Sequence, residues 1–272
     1  MADIAPSARF AELRQEVELL RTELSMVVLE RDDLVLRQCK NIEMNYWLAF
    51  ADLIYKFQTA ENDYLRLKRK FELIQANINR QEKVSLRKVD ARLDIEMEEY
   101  DRKVQQVIEE MNRAVERNSQ LVSISEDTDK AVKRLYRKVV RMLHPDLHPG
   151  QPEAHKKLFE SAVRYYETAN IEGLEMVAKM VESDDDINLD DEDVITLLEQ
   201  EKTQLIEMIR KVQKEIDLIK QKVPYILKVF VEDEQKQEAK KAEFRDAIQQ
   251  YHEYSEVLQY RIDKLMERQE HE

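Results

Sequence analysis

The spacing of apolar residues predicts long helices along most of the chain. In the first stretch, apolar residues recur in steps of three and four, which is the pattern of a heptad coiled coil. These positions are Leu13, Val17, Leu20, Leu24 and Val27. A second series with the same spacing comprises Leu86, Val89, Leu93, Tyr100, Val104, Val107, Met111 and Val115. Neither proline nor glycine occurs between Pro6 and Pro145, so helix is expected throughout this half of the chain.

Two features are expected to interrupt these helices. The first heptad series loses its phase between Gln38 and Asn41, and we predict a turn there. Further along, apolar stripes run through 198–226 and 244–265, and Pro224 is expected to kink or break the first of the two. These stripes can fold back on each other as an antiparallel hairpin or pair with another chain. Heptads alone leave both arrangements open.

Composition agrees with an all-α fold and limits the function. The sequence has only two glycines and five prolines, and 37% of its residues are charged. The net charge of -13 argues against general nucleic-acid binding, because phosphate backbones are bound through clustered Lys and Arg. No stretch approaches the roughly 20 apolar residues that span a bilayer. The N-terminus lacks a signal peptide and Cys39 is the lone cysteine, so we expect a cytoplasmic protein.

The pattern divides the chain into four regions. Residues 7–120 are predicted to form an N-terminal helical coiled-coil region, and 123–182 a small separate helical segment. Residues 183–193 read as an acidic linker, because closely spaced aspartates repel one another. Residues 194–271 are predicted to form a C-terminal coiled-coil helical hairpin.

Residues 132–152 differ from the rest because a basic helix precedes a proline-rich loop. The helix has an apolar inner face and a basic outer face. The inner face consists of Val132, Leu135, Tyr136, Val139, Val140 and Leu143. The outer face, called the basic face below, consists of Lys133, Arg134, Arg137, Lys138 and Arg141. Periodicity alone favours an ordinary solvated surface helix for such a pattern.

The tripeptide His144-Pro145-Asp146, called the HPD loop below, ends this helix. Together with Tyr136 and the Arg-Lys pair that follows it, the tripeptide makes the segment resemble helix II and the loop of J-domain (DnaJ-type) co-chaperones. A motif match of this kind needs structural context, and here a basic helix precedes the tripeptide and an apolar-aromatic helix follows it.

The resemblance continues into the next predicted helix, where Phe159, Ala162 and Tyr166 match the family pattern. A register shifted by one residue would use Leu158 and Tyr165 instead. The resemblance covers roughly 125–181, which makes the expected architecture a small J-domain-like helical hairpin between long coiled-coil helices. The family's first helix, its Gly/Phe-rich region and its cysteine zinc repeats are absent from the sequence.

The resemblance implies a co-chaperone that docks on a DnaK-type heat-shock chaperone and stimulates the partner's ATP hydrolysis. In that case Asp146 would pair with an arginine of the partner, and the basic face would steer association. The expected chaperone-binding residues are His144, Pro145, Asp146, Tyr136, Arg137, Lys138, Lys133, Arg134 and Arg141. The expected packing residues are Val132, Leu135, Val139, Leu143, Phe159, Ala162 and Tyr166.

The coiled coils would then act as an adaptor for a client protein or as a homodimerisation device. No catalytic residue, metal or cofactor is expected, since hydrolysis belongs to the partner and the sequence has no Gly-rich phosphate loop. The chain is therefore not expected to be an enzyme.

Other interpretations stay open. The chain could be a structural coiled-coil scaffold whose J-like segment has lost partner binding. His144, His148 and His155 with Asp146 could bind a metal, although the resemblance explains their spacing without one. Nucleic-acid binding through 130–141 is disfavoured, because the rest of the chain would repel phosphate and no aromatic platform interrupts the basic face.

Overall fold

The computed structural model describes residues 8–120, 126–181 and 193–271, and within these ranges the chain is helical without strands. The predicted all-α fold is confirmed. The helices are α1 (Ala8–Asp33), α2 (Cys39–Asn79), α3 (Leu86–Glu96), α4 (Glu98–Gln120), α5 (Glu126–Leu143), α6 (Glu153–Glu167), α7 (Ile171–Val181), α8 (Asp193–Lys220), α9 (Lys228–Glu232) and α10 (Glu234–His271).

A π-helix, Leu34–Gln38, joins α1 to α2 at the point where the heptad series loses its phase. The N–H of Cys39 donates to the carbonyl oxygen of Leu34, five residues earlier. A π-turn holds more residues than an α-turn, so the apolar positions that follow it are rotated about the helix axis. The predicted turn near Gln38 is therefore wrong, because the phase changes inside a continuous helical stretch. Near Pro224 the prediction is met, since α8 ends at Lys220.

The chain forms two compact units. The first combines Met1–Asn41 with Gln120–Ile226. Within it, α1 packs on α5 and α8, α5 packs on α6 and α7, and α6 packs on α7. The fully buried side chains of its core include Leu24, Val28, Val132, Tyr136, Val139, Val140, Leu143, Ala162, Tyr166, Leu174 and Ile216.

Helices α1 and α8 run in the same direction within the first unit. An ion pair joins Arg9 to Glu199 near the start of both helices, and another joins Glu30 to Lys220 near their ends. Such exposed pairs contribute at most about 1 kcal/mol each, so they mainly set the register of the two helices. The α8 side chains buried in the core are Leu205, Val212 and Ile216.

The second unit combines Ile42–Ser119 with Leu227–Glu272. Aromatic rings join α2 to α10. The ring centroids of Phe57 and Phe244 are 5.8 Å apart, and those of Tyr64 and Tyr251 are 5.5 Å apart. Helix α3 returns along α2, with Arg69 paired to Glu96 at 2.6 Å. A small core completes this unit and contains Ile74, Val89, Leu93 and Ile262.

The boundaries of the two units differ from those of the predicted regions. The C-terminal region 194–271 is divided, with α8 in the first unit and α10 in the second. Apart from Asp193, the predicted acidic linker 183–193 lies outside the described residues, as do 123–125 and 182 of the predicted J-like segment. In the described ranges, no helix combines the length and the apolar character needed to cross a bilayer.

Candidate functional site

The basic helix of the sequence is α5, which ends immediately before the HPD loop. Acidic residues occupy its first turn and Arg141 its last, an arrangement that the helix dipole favours at both ends. Its buried residues are Val132, Tyr136, Val139, Val140 and Leu143. Leu135 and Lys133 are half-buried, and the exposed members of the basic face are Arg134, Arg137, Lys138 and Arg141.

Helix α6 follows the loop and packs against α5. It buries Phe159, Ala162 and Tyr166. The rings of Tyr136 and Tyr166 stack with centroids 4.0 Å apart and planes 13° from parallel. Leu158 and Tyr165, the residues of the alternative register, are half-buried. The two helices therefore form a hairpin whose inner faces are joined by aromatic packing.

The HPD loop is organised around His144, which is only 5% exposed. The backbone N–H of Asp146 donates to Nδ1 of His144 at 3.0 Å, and the N–H of His148 donates to the carbonyl oxygen of His144 at 2.9 Å. Nε2 of His144 lies 3.1 Å from Nη2 of Arg31 in α1. Pro145 is exposed, and the Asp146 side chain is 42% exposed. The loop thus presents its proline and aspartate while its histidine is buried.

The carboxylate of Asp146 has a partner in α1. Arg31 donates through Nη1 to Oδ2 of Asp146 at 2.7 Å, and the same nitrogen lies 3.3 Å from Oε2 of Glu215 in α8. Burial alone would lower the pKa of Arg31, but the bonds to Asp146 and Asp32 outweigh it and raise the pKa above its ordinary value. The guanidinium therefore stays charged at any physiological pH.

Asp32 connects the loop to the inner face of α5. It is 8% exposed and accepts hydrogen bonds from the Tyr136 hydroxyl at 3.0 Å and from Nη2 of Arg31 at 3.0 Å. Nε2 of His144 lies 3.5 Å from its carboxylate. Burial favours the neutral acid, but His144 and Arg31 outweigh this effect and hold the pKa of Asp32 below its ordinary value. Asp32 is therefore ionised and bonded on three sides.

Asp33 makes the corresponding contact to α6. It accepts a hydrogen bond from the Tyr166 hydroxyl at 2.7 Å and another from the Gln38 amide at 2.7 Å. Burial and the adjacent carboxylates raise the pKa of Tyr136 and of Tyr166, so both hydroxyls remain protonated donors. Two consecutive carboxylates of α1 thus hold the two stacked tyrosines of the hairpin.

Sequence reasoning missed Arg31, Asp32, Asp33 and Glu215 as parts of this site. A signal for Arg31 was present, because it lies four residues after Val27 and continues the heptad series at a position that is ordinarily apolar. A charged residue on such a seam needs a polar partner when it is buried. Nothing local in the sequence names that partner, since Asp146 lies in a different helical segment.

No family model matches this chain. No curated protein and no solved structure matches it either. The resemblance to J-domain co-chaperones is therefore carried by the residues of the hairpin and its loop alone.

The histidines of the loop were considered above as a possible metal site. In the part of the chain that the structure describes, no group of three or more His, Cys, Asp or Glu side chains is arranged to hold a metal ion. Nε2 of His148 instead lies 2.9 Å from the carbonyl oxygen of Arg141. Cys39, the one cysteine of the sequence, is buried.

Proposed function

We propose that this chain is a co-chaperone that docks on a DnaK-type chaperone through the HPD loop and the basic face and stimulates the partner's ATP hydrolysis. The observation that carries the proposal is the position of the loop. It connects two helices that share a buried aromatic face, and it directly follows a helix with an exposed basic side. Pro145 is exposed and Asp146 is partly exposed, as a docking loop requires.

Charge supports an acidic partner. The chain as a whole has a net charge of -13, yet Arg134, Arg137, Lys138 and Arg141 are all exposed on one side of α5. A local cluster of one sign steers an oppositely charged surface toward it and gives an association rate that depends on salt. The partner's surface should therefore be acidic beside the region that receives the loop.

Support for the hairpin comes from α1, which contacts both of its tyrosines. Asp32 and Asp33 bond the hydroxyls of Tyr136 and Tyr166, and α1 packs on α5. The absence of the ordinary first helix in the sequence is therefore no obstacle to a folded hairpin.

The coiled-coil part of the chain would give this co-chaperone its specificity. The long helices α2 and α10 of the second unit suit an adaptor for a client protein or a homodimer contact. Such a protein would act in the cytoplasm, a reducing compartment that suits a sequence with a single cysteine.

A structural scaffold is the second candidate, and one observation favours it. Asp146 is already bonded to Arg31, and His144 is buried against Asp32. A loop whose polar groups are satisfied within the chain requires no partner. In a scaffold the HPD residues would only connect α5 to α6 and fix them to α1.

Charge reversal on the basic face separates these two candidates. We expect the double variant Arg134→Glu, Arg137→Glu to bind a DnaK-type chaperone in its ATP state at least roughly tenfold more weakly than wild type, because like charges would then face each other. The affinity is measured by biolayer interferometry with the chaperone immobilised. Wild-type binding should weaken as salt is added.

The matched control is Arg261→Glu, which makes the same kind of charge change at an exposed position of α10. It should bind like wild type. Binding of wild type that neither salt nor the double variant affects would remove the basic face from the docking surface. An absence of binding by the folded wild-type chain would favour the scaffold.

A further inference from the structure

The ion pair between Arg31 and Asp146 bears directly on how the loop can dock. A carboxylate in a docking surface contributes by bonding a cation of the partner, and such charge-assisted bonds are the strong ones. Oδ2 of Asp146 already accepts such a bond from Arg31 at 2.7 Å. Any partner that uses Asp146 must therefore displace Arg31 or share the carboxylate with it.

Arg31 is positioned so that it can release Asp146 at little cost. Its Nε and Nη2 bond Asp32 at 3.2 and 3.0 Å, and its Nη1 lies 3.3 Å from Glu215. The Arg31 side chain is only 18% exposed, so a release that left it without a carboxylate would be unfavourable. Because Asp32 and Glu215 remain, the guanidinium keeps two acidic partners after Asp146 has turned away.

The two ends of the pair differ in accessibility. Asp146 is 42% exposed on a short loop, whereas Arg31 is fixed in α1 between α5 and α8. The mobile partner of the exchange should therefore be the aspartate, and Arg31 should stay in place.

We propose that Arg31 is an internal latch on the HPD loop: it competes with a cation of the docking partner for Asp146, and Glu215 sets the strength of the latch by competing for Arg31. The latch deepens the proposed co-chaperone function and rests on it. The basic face remains exposed while the latch is closed, so the partner first meets the basic face and then exchanges its own cation for Arg31. The free chain is held in a state of reduced affinity until the exchange occurs.

Two variants with opposite expected effects test the latch. Arg31→Met removes the competitor, and we expect roughly three- to tenfold tighter binding to the ATP-state chaperone. Glu215→Gln removes the alternative carboxylate of Arg31, and we expect binding about two- to threefold weaker than wild type. Where Arg31→Met fails to fold, Arg31→Lys keeps the charge but loses the planar fork, and it should tighten binding by a smaller factor.

The matched control is Lys202→Met. Nζ of Lys202 in α8 lies 2.7 Å from Oε2 of Glu16 in α1. The substitution therefore removes an ion pair between the same two helices but leaves the contacts of the HPD loop unchanged. Its affinity should equal that of wild type. Equal or weaker binding by folded Arg31→Met, beside normal binding of wild type, overturns the latch and leaves the co-chaperone proposal intact.

A second measurement judges the latch without any partner. The amides of Asp146, Leu147 and His148 bond to His144, and their hydrogen exchange reports the opening of the loop. We expect exchange roughly three- to tenfold faster in Arg31→Met than in wild type, and no change in Lys202→Met. Identical exchange in all three chains overturns the latch, whether or not the chains bind a chaperone. An absence of chaperone binding would instead overturn the proposed function.

Discussion

Replacing Asp32 with alanine should lower the free energy of unfolding of the first unit by about 3 to 5 kcal/mol. The substitution removes the acceptor of the buried Tyr136 hydroxyl and a carboxylate bonded to Arg31 at 3.0 Å. It also removes the carboxylate that lies 3.5 Å from Nε2 of His144. Urea unfolding followed by far-ultraviolet circular dichroism measures the loss, and hydrogen exchange of the α5 amides assigns it to the first unit.

The matched control is Asp217→Ala, which removes an exposed carboxylate of α8. It should change the stability by less than about 0.5 kcal/mol. A comparably small loss for Asp32→Ala would mean that the contacts of Asp32 do not stabilise the hairpin.

The stabilisation by Asp32 should also depend on pH. The pKa of Asp32 in the folded chain is lower than its ordinary value of 3.8, so the unfolded chain binds a proton before the folded chain does. The contribution of ionised Asp32 to the free energy of unfolding is therefore complete above about pH 4. It is lost as the pH falls through the folded-state pKa of Asp32. The difference in stability between wild type and Asp32→Ala should narrow over that acidic range. A difference that stays constant there would contradict the ion-pair account.

The second large effect concerns the hairpin in isolation. A peptide spanning 123–182 is expected to lose most of its helical signal and to show no cooperative unfolding transition. Its fully buried Tyr136 and Tyr166 bond Asp32 and Asp33, and both acceptors are missing from the peptide. A unit of this size has a small core and depends on every element that covers it.

Addition of a second peptide spanning 8–41 supplies α1 and tests the cause. Helical signal should increase on mixing the two peptides, whereas a peptide 8–41 that carries Asp32→Ala and Asp33→Ala should have a much weaker effect. Cooperative unfolding of the peptide 123–182 by itself would show that α1 is dispensable for the hairpin.

Periodicity could predict that the chain is helical and part of the face that each helix buries, because both depend on residues three and four positions apart. The expectation of helix throughout the first half was wrong, since α2 ends at Asn79, and Leu86, Met111 and Val115 of the second series are exposed. Periodicity placed Leu13, Val17 and Leu24 on one side of α1, and all three are buried. It could not predict which element covers a given face. The surface that covers α5 belongs partly to α1, which is distant in sequence, and no local spacing encodes that pairing.

The candidate site divides in the same way. The tripeptide and the basic face can be recognised in a single segment, because they follow one another along α5 and the loop. Arg31, Asp32 and Asp33 instead resemble ordinary charged residues at the end of a coiled coil. Their role depends on long-range contacts to Asp146, Tyr136 and Tyr166, which only the folded chain reveals.

The π-helix between α1 and α2 could not be distinguished from a turn by the sequence pattern. A change in heptad phase is expected both from a turn and from an extra residue within a continuous helix. In this chain the change in phase comes from the π-helix Leu34–Gln38, which holds an extra residue within a continuous helix. Asp32 and Asp33 directly precede it. π-Helical turns are often found beside functional residues, which agrees with the position of this one next to the residues that hold the HPD loop.

The most direct test of the co-chaperone proposal is the steady-state ATPase rate of a DnaK-type chaperone with this protein added. We expect wild type to stimulate the rate and Asp146→Asn to lose the stimulation, because the amide keeps the size of the side chain and lacks its charge. The charge-matched control, Asp127→Asn at an exposed position of α5, should stimulate like wild type. Equal stimulation by Asp146→Asn, or no stimulation by the folded wild-type chain, would contradict docking through the HPD loop.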